Sequence, residues 1–340
     1  MEKKLDLLAL GEVLMRLSPV QNERLTQCAT LEKQIGGAEL NVVAGAVNLG
    51  LSAGIISKIP QHMIGDYAEQ EICRNKVSTE YLAKDRESGA RLGLYYYEYG
   101  ANPRKPQVVY DRKNSSMYRI CEQDFPEEMY SAARCFHTSG ITLGLGGKVR
   151  ETALEMIKKF KKNGALISFD VNFRGNLWSG VEARECITRI LPLVDIFFCS
   201  ESTARLTFGK EGNIKEILKS FADEYDLQVV EATRRTVHSP KLHTFDSIAY
   251  ERKSSCYYEE NPYENIDVVD RIGSGDAYIS GFLYGLLKEN GGCQEAVEYG
   301  NAAGALKNTV CGDILLTTPG EIEEIIRSHH STGIDFELKR

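Results

Sequence analysis

The sequence predicts an α/β fold with a mostly parallel sheet covered on both faces, and three observations carry that reading. Beyond residue 130, short apolar segments alternate with segments of helical periodicity, the pattern of strands joined by crossover helices. Two glycine-rich turns, one near each end of the chain, each open a helix: Gly36-Gly37-Ala38 and Gly273-Ser274-Gly275-Asp276. A third region differs in character. Leu92 to Tyr99 and Val108 to Tyr110 read as two strands joined by the turn-rich residues 100–106, outside the alternating pattern.

In chain order, Leu5 to Leu10 is a buried strand ending at Gly11-Glu12, and residues 13–35 suit an exposed sheet. A helix runs from Val42 to Leu49 and closes at Gly50; Ile55 to Ile59 is a strand and Gly65 to Lys76 a helix. Tyr95, Tyr96, Tyr97 and Tyr99 fit a sheet with a face against a ligand or a partner subunit, although strand propensity accounts for most of them singly. Further strands are expected at Cys135–Thr138, Leu166–Val171, Ile196–Cys199 and Gln228–Ala232. Helices are expected at Val149–Lys162, Val181–Ile190, Ser202–Phe208 and Ile214–Glu224. Residues 240–265 read as two connecting β segments and 329–340 as a polar, frayed end. Ligands of such sheets bind beyond the carboxyl ends of the strands. That directs attention to Ser139-Gly140-Ile141, Asn172-Phe173-Arg174, Ser200-Glu201 and Thr233.

The stretch Asp270 to Asp276 carries the most chemistry. Val268-Val269 leads into it, and Ile279, Phe282, Leu283, Leu286 and Leu287 give the following helix one apolar face. Gly281 and Gly285, four apart, suit close packing against another element. Glycines let backbone N–H groups approach an anion, and a helix N-terminus adds partial positive charge. Asp276 then places a carboxylate where phosphate chemistry would occur. Taken alone, the stretch reads equally as a turn with Asp276 as helix cap. It is neither a dinucleotide fingerprint nor a Walker loop.

A chain of 340 residues, 42% hydrophobic and 26% charged, is long enough for one large domain or two smaller ones and has ordinary globular composition. A net charge of -7 argues against nonspecific nucleic-acid binding. Nine scattered cysteines without a Cys-x-x-Cys suggest reduced thiols in a cytoplasmic protein. No apolar run reaches signal-peptide or membrane-spanning length.

Together, Gly36-Gly37-Ala38-x-x-Asn41 and Asp270-x-x-Gly273-x-Gly275-Asp276 resemble the PfkB (ribokinase-like) family of carbohydrate kinases, and the resemblance covers nearly the whole chain. It implies a ribokinase-like three-layer α/β/α fold, one domain over 1–340, with β-lid segments at about 13–35 and 90–115. Within the family the chain is most similar to the 2-keto-3-deoxygluconate kinases. That likeness rests on Gly36 to Asn41, Tyr95, Tyr110-Asp111-Arg112-Lys113, Ser139-Gly140-Ile141, Asp170 to Arg174 and Gly312-Asp313.

The resemblance implies substrate contact by Gly37, Ala38, Asn41, Tyr95, Tyr110, Arg112, Ile141, Arg174 and Asp313. It implies Asp276 as general base, with Gly273, Ser274 and Gly275 forming the anion hole, and a nucleotide site at Ser200, Thr233, Asn301, Gly273 and Gly275. ATP and Mg²⁺ are the expected cofactors, Glu201 a candidate metal residue through water, and a monovalent cation a further candidate. A sugar acid carries a carboxylate, which the planar guanidinium fork of Arg112 or Arg174 can grip. The aromatic lid suggests a homodimer or larger assembly, with neither nucleic acid nor membrane as partner.

Three departures stand out. Ser200-Glu201-Ser202-Thr203 replaces the family's Asn-x-x-Glu, Thr233 to His238 lacks the usual Gly-rich turn, and Arg271 stands where Thr is usual. Fructokinase, ribokinase, 5-dehydro-2-deoxygluconate kinase, or a non-catalytic sugar or nucleotide sensor are the alternative functions.

Overall fold

The computed structural model describes residues 3–20 and 23–331. The chain opens with β1 (Leu5–Leu10), β2 (Leu14–Pro19) and β3 (Leu31–Gly36). Next come α1 (Ala38–Asn48), β4 (Ala53–Pro60), α2 (Met63–Arg74), β5 (Leu82–Asp85), β6 (Gly93–Glu98) and β7 (Gln107–Asp111). The alternating part follows: β8 (Ala133–Ser139), α3 (Gly140–Gly144), α4 (Gly147–Lys162), β9 (Leu166–Asp170), α5 (Gly180–Ile190), β10 (Ile196–Phe198), α6 (Glu201–Phe208) and α7 (Ile214–Tyr225). β11 (Val229–Ser239), β12 (Leu242–Glu251), β13 (Cys256–Glu259) and β14 (Tyr263–Asp267) precede α8 (Ser274–Leu287), α9 (Cys293–Asn308) and α10 (Pro319–His330).

The large sheet runs β13-β12-β11-β10-β9-β8-β1-β4-β5, with β14 pairing to β12. From β5 to β11 neighbouring strands are parallel, while β12, β13 and β14 add antiparallel pairs at one edge. Apolar cores lie on both faces. On one, Phe136 of β8 stacks on Phe160 of α4 with ring centroids 4.2 Å apart. On the other, Phe198 of β10 meets Phe282 of α8 edge to face at 5.3 Å. The Gly281 and Gly285 reading is borne out: a Cβ on Gly281 would stand 2.3 Å from the Tyr299 carbonyl oxygen, so α9 lies directly against α8.

A separate four-stranded sheet, β3-β2-β6-β7, is built from the two segments expected to form the lid. Tyr95 and Tyr97 of β6 point inward and are buried, whereas β7 is exposed along its whole length. Several boundaries move. α1 starts at Ala38 rather than Val42, because Gly37 ends the strand and its carbonyl accepts from the Asn41 N–H at 2.7 Å. α2 starts at Met63 rather than Gly65, where the His62 ring accepts from the Ile64 N–H. β11 runs past Ala232 to Ser239 and forms a hairpin with β12 where a Gly-rich turn would have broken it. Residues 240–265 contribute three strands, not two. Of the frayed end expected over 329–340, residues 329 and 330 instead close α10, and 332–340 lie outside the described residues.

Candidate active site

The strand order reverses between β1 and β8, and a cleft of about 490 Å³ opens beyond the carboxyl ends of the strands there. That is where an open α/β sheet receives ligands. All nine residues expected to touch substrate line it, from Gly37 of the first glycine turn to Asp313. So do Gly273, Ser274, Gly275, Asp276, Ser200 and Thr233.

Two expected residues lie elsewhere. Asn301 is fully buried on α9, where its Nδ2 donates to Glu260 Oε1 at 2.9 Å, and it is absent from the cleft wall. Residues four apart share a helix face, so Glu201 on α6 turns to Arg205, accepting at 3.0 Å from Nε and 2.6 Å from Nη2, instead of facing the cleft.

Asp276 is the third residue of α8, and Gly273 precedes the helix in the left-handed region at φ 79°. A Cβ on Gly273 would stand 1.9 Å from the Asp313 carbonyl oxygen, so the turn requires glycine. Asn41 Nδ2 donates to Asp276 Oδ2 at 2.7 Å, joining the two glycine-rich helix starts across the cleft. Burial pushes the Asp276 carboxyl up to about 7 against the help of Asn41 and Arg174. Asp170, at the end of β9, is likewise pushed up to about 7 by burial, with Asp276 adding to the effect.

The lid closes the other wall. Arg112 donates from Nε to Glu12 Oε2 at 2.7 Å, and its Nη2 contacts the same carboxylate. Glu12 also accepts from Ser115 Oγ, and burial raises its carboxyl. Arg16 of β2, fully buried, places Nη1 2.7 Å from both Asp270 and Asp313. Tyr95 donates its hydroxyl proton to Asp313, which ties β6 to the loop after α9. Deep in the cleft, Glu39 accepts from Ser139 Oγ and Thr142 Oγ1, each at 2.7 Å.

Arg174, Arg235 and Arg271 also line the cleft, and among the described residues none of them pairs with a carboxylate. Desolvation, then the like charges of Arg271 and Arg174, lower the proton affinity of Arg235. Three unpaired guanidinium groups beside glycine N–H groups at a helix start make a strongly anion-attracting wall. Arg235 had an available signal: it follows Thr233 by the two-residue period of a strand and so shares its face.

The pfkB family carbohydrate kinase pattern matches residues 4–319. This chain belongs to the pfkB family of carbohydrate kinases. It is 33% identical to the 2-dehydro-3-deoxygalactonokinase of Haloferax volcanii over 330 residues, 97% of this chain and 99% of that protein. The crystal structure of 2-dehydro-3-deoxygluconokinase from Thermotoga maritima is similar with a TM-score of 0.90 at 30% identity, covering 95% of this chain and 98% of that one. A PfkB family carbohydrate kinase from Listeria grayi superposes with a TM-score of 0.89 at 33% identity over 95% and 99% of the two chains. The pfkB kinase is thus a sugar kinase on a ribokinase-like fold. Among its described residues no helix is long and apolar enough to cross a membrane.

Proposed function

We propose that this pfkB kinase transfers the γ-phosphoryl group of ATP to a primary hydroxyl of a 2-keto-3-deoxy sugar acid, with 2-keto-3-deoxygluconate as preferred substrate. The observation that carries the reading is a single cleft that joins a lid wall bearing Arg112 and Tyr95, a base candidate at Asp276, and an anion wall at Gly273–Gly275. The two named relatives above act on 2-keto-3-deoxy acids of the gluconate and galactonate series.

In this reading Arg112 and Arg174 grip the substrate carboxylate, and Tyr95, Tyr110, Asn41 and Asp313 meet its hydroxyl groups. Arg112 already turns Nε and Nη2 to Glu12, which fixes the guanidinium and leaves its Nη1 side for the substrate. Gly37, Ala38 and Ile141 shape the pocket floor. The attacking hydroxyl forms an O–P bond as the bond between the γ-phosphorus and its bridging oxygen breaks; ADP leaves with that electron pair, and Asp276 accepts the hydroxyl proton. N–H groups of Gly273, Ser274 and Gly275, with Arg235 and Arg271 beside them, hold the charge on the transferred group. Ser200 and Thr233 flank the nucleotide.

Magnesium bound with the triphosphate supplies further charge neutralisation at the phosphate oxygens. The donors fit an ion carried mainly by phosphates and water: Asp170 and Glu231 line the cleft, Glu231 Oε1 is buried without a hydrogen-bond partner, and among the described residues no cluster of three or more ligating side chains occurs. β7 is exposed along its whole length, and Val109, on the face opposite the cleft-lining Val108 and Tyr110, supports a dimer through the lid; a monomer by sedimentation would contradict that.

An ADP-release assay over sugar acids and neutral sugars tests the substrate class. Turnover of 2-keto-3-deoxygluconate or its galactonate epimer should exceed that of fructose and ribose. Arg112→Ala and Arg174→Ala should raise KM for the acids far more than for any neutral sugar. Preference for neutral sugars would overturn the reading, and tight binding of every ligand without turnover would favour a sensor.

A further inference from the structure

Lys307, in the last turn of α9, is fully buried and outside the cleft. It has no carboxylate in ion-pair contact among the described residues. Its Nζ donates instead to two backbone carbonyls, Val310 at 3.0 Å and Asp270 at 3.3 Å. Burial works against its charge, while the Asp270 and Asp313 carboxylates favour it. An ammonium group held by loop carbonyl oxygens has the coordination chemistry of a small monovalent cation, not of a salt bridge.

The loops it joins are those that shape the anion wall. Asp270 starts the turn that ends at Gly273, and Val310 belongs to the loop carrying Asp313. Asp270 accepts from the Ile272 N–H through Oδ1 and from the Gly312 N–H through Oδ2, each at 3.1 Å. The charges close: Arg16 and Lys307 against Asp270 and Asp313, two cations and two carboxylates, all buried. Without Lys307 the cluster would carry one uncompensated negative charge and two unoccupied carbonyl oxygens beneath the anion wall. A buried unpaired charge is costly, and a cation drawn from solution would answer it.

We propose that the Lys307 ammonium is a tethered, built-in monovalent cation that positions the 270–273 turn, so that this kinase requires no potassium-like ion from solution. The proposal rests on the phosphoryl-transfer reading of the cleft for its effect on rate, but not for the cation-like site itself. Lys307 is a positioning residue, acting through the turn and never on the substrate.

The test compares wild type and Lys307→Ala in chlorides of potassium, ammonium and tetramethylammonium at equal ionic strength, reading melting temperature and turnover of the sugar acid. Wild type should melt and turn over alike in all three salts. Lys307→Ala should melt lower and lose about tenfold or more in kcat in tetramethylammonium, and potassium or ammonium should restore both. Wild type stabilised or activated by potassium over tetramethylammonium overturns the proposal without any variant. A folded Lys307→Ala indifferent to the cation overturns it too. Should that variant not fold in any salt, Lys307→Ser takes its place, and failure of both in every salt counts against a refillable site. If wild type turned over no sugar acid, the functional reading would fall while the melting comparison still decided the cation claim.

Discussion

Asp170 and Asp276 share the cleft, and burial holds both carboxyls near 7, each raised further by neighbouring negative charge. A base must be unprotonated to accept a proton, so kcat/KM should rise with pH through an apparent value near 7 and fall about tenfold per unit below it. Asp276 is among the charges that raise Asp170, and such an interaction is reciprocal. Asp170→Asn removes a negative neighbour and should therefore move that limb to lower pH. A pH–rate profile of both proteins checks this; a flat wild-type profile between about pH 5 and 8 would contradict it. At this scale the sequence was informative where motifs concentrate and silent where partners are distant. Gly37, Asn41 and Asp276 were legible because two short glycine turns mark helix starts and together resemble the family's paired motifs. Arg16 was not, because Met15-Arg16-Leu17 says nothing of Asp270 and Asp313 at the far end of the chain. Glu201 misled for the opposite reason: its place after a strand suggested the cleft, but Arg205 four residues on draws it away.

At the scale of one element, the turn into α8 separates two glycines that look equivalent in sequence. Gly273 has positive φ and no room for a Cβ against the Asp313 carbonyl, whereas nothing lies within 4 Å of a Cβ added to Gly275. Gly273→Ala should therefore destabilise the fold by about 1–3 kcal/mol or more through backbone strain and displacement of the 309–313 loop, and turnover should fall with it. Gly275→Ala should leave the denaturation midpoint unchanged while weakening turnover, since its Cβ would enter the cleft where the anion is proposed to sit. Denaturant titration and kinetics on both variants check this, and equal loss of stability in the two would contradict it. Element boundaries were least legible where turn chemistry is unusual. Thr233 to His238 contains no glycine, and the chain simply continues as strand into a hairpin with β12.

Across the whole molecule, the parallel sheet was readable because strand and helix periodicities alternate over a long stretch. The lid was readable through the family resemblance, with the tyrosine-rich strands at 92–99 and 108–110 interrupting that alternation. What joins lid to sheet was not: Arg16 to Asp270 and Asp313, Tyr95 to Asp313, and Asn41 to Asp276 are contacts between segments remote in sequence. These links bring both glycine turns, the lid and the arginine wall around one carboxylate. Asp276→Asn is therefore the most direct measurement, because it keeps the shape of the side chain and removes its capacity to accept the proton. With ATP and sugar-acid affinities measured by calorimetry alongside ADP release, the variant should bind both substrates nearly as wild type does and lose about two or more orders of magnitude in kcat. Near-normal turnover with intact binding would contradict the assignment of Asp276 as the base.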